Sequence, residues 1–346
     1  MNFNLNEIVR PSIKGLKPYS SARDEFTGKA DVYLDANENP YGNGLNRYPD
    51  PYQKELKSKI SKVKNINKSS ILLGNGSDEV IDLLFRAFCE PGKDEVIIMP
   101  PTYGMYQVCA DINNVKTKKV SLTSDFEVNE TKLLKAISKN SKIIWFCSPN
   151  NPTGNTMDPL VIKNVLNTFN GIVVIDEAYI DFSDSQSWID FIEFHPNLFI
   201  IQTLSKAWGL AGLRLGMGFA SKEIISILNK IKPPYNINSL TQKKAVEAIG
   251  CLEKKNENID AILNEKVKLI ENIKLINSVK QIYPSDTNFI LVKINNATNV
   301  YNELIERSII VRNRTNVLLC EDCLRITVGK SIENKKLLDA IKEITR

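Results

Sequence analysis

The chain of 346 residues reads as an α/β protein built on a mainly parallel sheet, followed by a smaller α+β unit. Three observations carry that expectation. Short β-rich runs, Ile143-Ile144-Trp145-Phe146, Ile172-Val173-Val174-Ile175 and Phe199-Ile200-Ile201, each end in polar residues. Unbroken apolar runs of that length are what strands covered on both faces look like. Strand and helix signals alternate from Tyr41 to about Gly250, and beyond that the pattern changes.

Taken in order, residues 1–40 form an arm rich in polar and turn residues, without a long periodic segment. In the large unit, residues 41–250, Ser77 to Cys89 predicts an amphipathic helix with Val80, Leu83, Leu84, Ala87 and Phe88 on one face, and Glu95–Met99 the strand after it. The three runs above continue the parallel sheet, and the polar residues that follow them mark a site at the strand C-termini. Residues 251–346 form the smaller unit. A long helical region spans about Thr241 to Leu275; Asn288–Ile294, Ile309–Arg312 and Leu324–Val328 predict strands of an antiparallel sheet, with helices around Tyr301 and Leu337.

Composition narrows the function. The chain is 42% hydrophobic and 25% charged, as an ordinary globular enzyme is, and its net charge of +5 is mild. The densest basic stretch, Lys57, Lys59, Lys62, Lys64 and Lys68, has no interleaved aromatics, so it predicts a solvated face rather than a nucleic-acid surface. A polar N-terminus and strand-sized apolar runs predict a cytoplasmic protein with no membrane span. Six scattered cysteines suit reduced thiols; Cys320-Glu321-Asp322-Cys323 has redox or half-zinc spacing but no second pair, and predicts a structural loop. The single histidine, His195, excludes a multi-histidine metal site, and no metal is expected.

The chemistry lies in Thr203-Leu204-Ser205-Lys206-Ala207-Trp208-Gly209-Leu210-Ala211-Gly212-Leu213-Arg214-Leu215-Gly216. An amine that condenses with an aldehyde needs a fixed, partly desolvated position, since its neutral form is the nucleophile. Ser205 and Arg214 offer donors to an anion, and the glycine-rich bend lets backbone N–H groups approach it. Lysine, anion site and tight turn together point to a pyridoxal-phosphate imine site at Lys206. Upstream, Asp176 of Asp176-Glu177-Ala178-Tyr179 would keep the pyridine nitrogen protonated. Asn151 of Cys147-Ser148-Pro149-Asn150-Asn151-Pro152-Thr153-Gly154, with Tyr179, would donate to the ring oxygen. Taken singly, these segments also fit an ordinary turn and a helix cap. Gly74-Asn75-Gly76 begins like a dinucleotide fingerprint, but Glu79 stands at the third glycine position. Gly76, Ser77 and Asp78 fit better as a helix N-terminus set against a phosphate.

With these segments, Tyr33-Leu34-Asp35-Ala36-Asn37-Glu38-Asn39-Pro40, Arg47-Tyr48-Pro49-Asp50-Pro51, Gly74–Glu79, Pro100-Pro101-Thr102-Tyr103-Gly104-Met105-Tyr106 and Cys323-Leu324-Arg325-Ile326-Thr327-Val328-Gly329 make the chain resemble the fold-type I aminotransferases. Asp-Ala-Asn-Glu-Asn-Pro and Arg-Tyr-Pro narrow the resemblance to the histidinol-phosphate branch. It implies a large, mainly parallel, seven-stranded sheet domain, a smaller α+β C-terminal domain, and ping-pong transamination of histidinol phosphate with 2-oxoglutarate, giving glutamate, in histidine biosynthesis. It implies a homodimer with shared active sites, Tyr48 reaching the neighbour's cofactor phosphate. Tyr103 would stack on the ring; Ser205 and Arg214 would hold the phosphate; Arg325 would grip the substrate's anionic end, assisted by Tyr19, Asn151 and Arg312. Lys206, Asp176 and Tyr179 carry the catalytic roles. Other activities open on the same scaffold are an aromatic aminotransferase, a threonine-phosphate decarboxylase, or a regulator without turnover, for whose usual DNA-binding domain the arm leaves no room.

Overall fold

Seven strands build the large sheet: β1 (Ile71–Asn75), β2 (Glu95–Ile98), β3 (Lys116–Lys119), β4 (Ser141–Cys147), β5 (Ile172–Asp176), β6 (Leu198–Thr203) and β7 (Leu215–Ala220). The computed structural model describes residues 3–19 and 30–345. Residues 20–29 of the expected arm lie outside that range, and the described part of the arm contributes two four-residue helices, Leu5–Ile8 and Pro11–Lys14. Ile8 and Val9 are buried against the large sheet's apolar layer.

The sheet order is β1-β7-β6-β5-β4-β2-β3. β2 to β6 pair in parallel wherever they are neighbours, and β7 runs against both β6 and β1. Successive side chains of a strand point to opposite faces. Ile144 and Phe146, Val173 and Ile175, and Leu198 and Ile200 accordingly enter one core layer. Ile143 and Trp145, Ile172 and Val174, and Phe199 and Ile201 enter the other. Both faces are covered, which is why the sequence shows continuous runs there rather than alternation. Each fully buried side chain of this size contributes about 1.5–3 kcal/mol.

The smaller sheet holds β8 (Val279–Ile282), β9 (Phe289–Ile294), β10 (Arg312–Asn313) and β11 (Cys323–Thr327) in the order β10-β11-β9-β8, all antiparallel. Helices Ala297–Glu306 and Ser331–Ile344 cover it through Val300, Leu304, Leu337 and Ile341.

Several expectations change in detail. The helical region around Thr241–Leu275 is two helices, Ser239–Ile249 and Leu252–Ile273. They break at Gly250, a poor helix former, and at Cys251, whose backbone leaves helical values. The strand expected over Ile309–Arg312 shrinks to Arg312–Asn313, because Ile309 N–H is spent on Leu304 O at the preceding helix end. Lys57 is no part of a solvated face. It sits on the buried side of helix Lys54–Lys64 with Leu56 and Ile60, and burial, then the nearby Lys232 charge, lowers its pKa to about 8. Cys320 and Cys323 are buried free thiols at a turn, as a structural loop requires. No helix among the described residues is long and apolar enough to cross a membrane.

Candidate active site

The C-terminal ends of β1, β2, β4, β5 and β6 lead to one cavity of about 690 Å³, closed on its far side by the smaller sheet. Into it face Ser77, Asp78, Tyr103, Asn151, Asp176, Tyr179, Ser205, Lys206, Arg214, Arg312 and Arg325. Segments from residue 77 to residue 325 thus bring together eleven of the fourteen residues singled out in the sequence.

Lys206 lies in the loop from β6 to its antiparallel neighbour β7, which backbone bonds pin at both ends. Leu204 N–H donates to Leu215 O at 3.0 Å, and Gly209 N–H donates to Lys206 O at 3.0 Å. The backbone is held, and the side chain extends over the Tyr179 ring, Nζ 5.5 Å from its centroid. Desolvation, then the positive charge of Arg325, lowers the amine's proton affinity, against an opposing pull from Asp176 and Asp78. A larger share of neutral amine is the state a nucleophile or proton acceptor needs.

Asp176 is the last residue of β5, in phase with Ile172 and Val174, and the alternation turns the adjacent Glu177 to the other face. Glu177 is fixed there by Ser187 Oγ and Trp188 N–H, both donating at 2.6 Å, so the pair is split between site and scaffold. Asp176 accepts a 2.7 Å bond from Tyr106 Oη and a 3.1 Å bond from Ala178 N–H. Tyr106 is itself fully buried and stacked on Trp145 at 4.7 Å. Burial outweighs these donors and pushes the Asp176 pKa up to about 6. A carboxylate held so deep without a cation is one a protonated ring nitrogen would relieve.

The β1 end supplies an anion cradle. Gly76 has a φ of +77° and caps helix Ser77–Phe88 without any side-chain bond, so Ser77 is the first helical residue rather than the cap. A Cβ on Gly76 would lie 2.5 Å from an Arg214 terminal nitrogen, and one on Gly216 would meet Ser77 N at 2.3 Å. Only glycines allow this approach. Arg214 pairs with Asp78 at 3.3 Å, and Tyr103 Oη donates to Asp78 at 3.0 Å. Gly76 is therefore the frame behind Arg214 rather than part of the cavity wall. Asn151 Oδ1 accepts from Arg325, which turns its amide nitrogen toward Tyr179 Oη at 3.5 Å.

Two expected residues stand outside the cavity. Tyr19 is 69% exposed. Tyr48 is 52% exposed, stacks on Tyr235 at 4.6 Å and lines a separate cleft of about 430 Å³. There Glu38 accepts from Arg47 at 2.7 Å and from Tyr48 N–H at 2.6 Å, so the Asp-Ala-Asn-Glu-Asn-Pro and Arg-Tyr-Pro segments meet. Sequence reasoning missed Tyr106 and Arg314. Tyr106 follows Tyr103 at helical i,i+3 spacing, and Arg314 follows Arg312 at strand i,i+2 spacing, signals that place each beside a residue already chosen.

The residues fit pyridoxal phosphate. A buried acid, an amine of lowered proton affinity, and a glycine-backed cradle with Arg214 and an uncapped helix N-terminus face one space. No group of three or more His, Cys, Asp or Glu able to hold a metal occurs among the described residues.

The family described as "Aminotransferase class I and II" matches residues 27–341. A histidinol-phosphate aminotransferase of Christiangramia forsetii is 55% identical over 345 residues, 99% of both chains. One from Flavobacterium psychrophilum is 54% identical over 345 residues, again 99% of both. Among solved structures, the histidinol-phosphate aminotransferase from Clostridium acetobutylicum matches with a TM-score of 0.81 at 25% identity, covering 87% of this chain and 91% of that one. The Sinorhizobium meliloti histidinol-phosphate aminotransferase, solved with pyridoxal-5'-phosphate, shares the fold at a TM-score of 0.79 and 22% identity, covering 88% of this chain and 84% of that one.

Proposed function

The chain belongs to the class I and II aminotransferases, and among them to the histidinol-phosphate aminotransferases, and on that premise we propose that it moves the amino group of L-histidinol phosphate to 2-oxoglutarate, yielding imidazole-acetol phosphate and L-glutamate, a step of histidine biosynthesis. The observation that carries this is the meeting, in one cavity, of Lys206, the buried Asp176 and the Arg325 guanidinium.

When bound, pyridoxal phosphate supplies an aldehyde that condenses with amines and a ring that draws electrons from the carbon beside the nitrogen. Lys206 Nζ would hold the aldehyde and, as a neutral amine, would take a proton from the amino-bearing carbon and return it. Asp176 would keep the ring nitrogen protonated, and Tyr106 fixes the carboxylate's orientation. Asn151 and Tyr179 would donate to the ring oxygen, Tyr103 would pack against the ring, and Ser77, Ser205 and Arg214 would hold the phosphate. Arg325 binds the anionic end of either substrate, the phosphate ester of one or the α-carboxylate of the other, with Arg312 as second cation.

The test is a half-reaction. Histidinol phosphate alone should convert the bound cofactor to its aminated form, and 2-oxoglutarate should restore it. Loss of carbon dioxide from an amino-acid substrate, or no spectral change, would count against the proposal. Arg325→Lys should lose about 10- to 100-fold in both half-reactions, because an ammonium cannot reproduce two parallel bonds to an oxyanion. Unimpaired rates on both substrates would remove Arg325 from the site.

The same proposal includes a cytoplasmic homodimer. Support comes from Tyr48, which does not line the cavity of its own chain and shares a separate cleft with the exposed apolar side chains of Leu45 and Leu240. Tyr48 would serve the neighbour's cofactor phosphate. Mixing Tyr48→Phe subunits with Lys206→Ala subunits should then restore activity, because one site in each hybrid draws both intact residues. Hybrids proven by subunit exchange yet inactive would place both residues in one subunit.

A further inference from the structure

Arg314 is a third guanidinium on the wall that carries Arg312 and Arg325. The antiparallel ladder puts it there. Arg312 and Arg325 are Cα partners across β10 and β11, and Arg314 N–H continues the pairing with a 2.9 Å bond to Cys323 O. Its side chain is half-buried, and its Nε is enclosed by protein without any hydrogen-bond partner. Among the described residues, none of Arg312, Arg314 and Arg325 forms a salt bridge.

The acids of the cavity do not offset this charge. Asp78 is taken by Tyr103 and Arg214, and Asp176 by Tyr106 and Ala178 N–H. Burial first, and then the charges of Arg325 and Arg312, lower the Arg314 pKa to about 10. Three guanidinium groups on one cavity wall, none of them paired with a carboxylate among the described residues, are therefore built to receive an anion.

The anion's charge and shape separate the two substrates. A carboxylate brings one negative charge and two oxygens in a plane, which one guanidinium fork satisfies. A phosphate monoester brings a charge of about −1.5 to −2 at pH 7 and three peripheral oxygens. One fork leaves part of it unmet. Resting on the reading above that both substrates dock against Arg325 with Arg312 as second cation, we propose that Arg314 determines specificity, adding the further fork that makes this site favour a phosphate monoester over a carboxylate.

The test compares wild type with Arg314→Gln and Arg314→Lys as holoenzymes, with the cofactor's absorption spectrum as a check that the site is intact. Arg314→Gln should lower kcat/KM for histidinol phosphate by about 10- to 100-fold, the worth of charge-assisted bonds, and that for glutamate by about threefold or less. Inhibition by inorganic phosphate should weaken by a similar factor, while inhibition by glutarate is retained. Arg314→Lys should fall between wild type and Arg314→Gln on phosphate and match wild type on glutarate. Equal losses on both substrates, or weakened glutarate inhibition, would overturn the proposal in favour of a general structural role. Unchanged phosphate inhibition in Arg314→Gln would also overturn it. Inhibition by phosphate and glutarate does not require that histidinol phosphate be a substrate. A wild type that rejects histidinol phosphate would therefore sink the proposed reaction while leaving Arg314 decided by the inhibitors.

Discussion

Lys206→Ala is expected to abolish turnover almost completely, by about 10³- to 10⁴-fold or more, while the protein remains folded and retains its cofactor site. The argument rests on position. The loop from Thr203 to Arg214 is tied to both flanking strands, so the lysine's backbone is fixed and no neighbouring amine can be moved into its place. Lys206 is the only lysine facing the cavity among the described residues. Its amine is already partly deprived of water and repelled by Arg325, so alanine removes an unfavourable burial and should leave the melting temperature equal or slightly raised. Borohydride treatment of the wild-type holoenzyme should attach the cofactor to one peptide, the one containing Lys206. Attachment elsewhere, or a Lys206→Ala enzyme within tenfold of wild type, would defeat the assignment.

Asp176→Asn should act in opposite directions on stability and on catalysis. The Asp176 carboxyl titrates at about 6 in the folded apoprotein, against the usual 3.8. Between those values the unfolded chain has lost the proton and the folded chain has kept it, so folded-state stability falls as pH rises through this window and levels off above it. At pH 7 the ionised acid costs about 3 kcal/mol, which asparagine removes while retaining the shape and one acceptor for Tyr106. The apoprotein of the variant should therefore melt higher than wild type at pH 7 and lose that advantage below pH 4. Catalysis should fall by about 10²- to 10³-fold, the scale of losing one partner of a buried charge pair. Wild-type turnover in the variant would remove the carboxylate from the mechanism. A variant apoprotein that melts lower at pH 7 would mean that the bonds to Tyr106 and Ala178 outweigh desolvation.

Much of this was legible because the large sheet is covered on both faces. A continuous apolar run such as residues 172–175, too short for a helix, suits a strand buried on both sides, and the residue after it then stands at the sheet edge where ligands bind. Lys206, Asp176 and Asn151 were found that way. Arg325 and Arg312 came through resemblance, and Arg314 escaped because its place depends on how β10 meets β11, a pairing of two residues with no periodicity of its own. Tyr106 escaped because nothing in a sequence says that one helix turn lies beneath a strand end 70 residues later. Lys57 was misjudged for a related reason. A charge on the inner side of a short helix looks like any other lysine until the neighbouring loops are in place.

The seating of β1 has a consequence for how the molecule is made. This strand is the first of the large sheet to leave the ribosome, yet among the described residues its only ladder partner is β7, whose residue 216 pairs with Gly74 some 140 positions earlier. Until β7 arrives, β1 has no strand to pair with, and the glycine contact that shapes the anion cradle does not exist. Closing so long a span is slow, since the loop entropy is paid before the contacts return it. Cofactor uptake should thus be a late event in refolding, lagging behind the recovery of secondary structure, and nascent chains shorter than about 220 residues should be blind to the cofactor however well their central strands have formed.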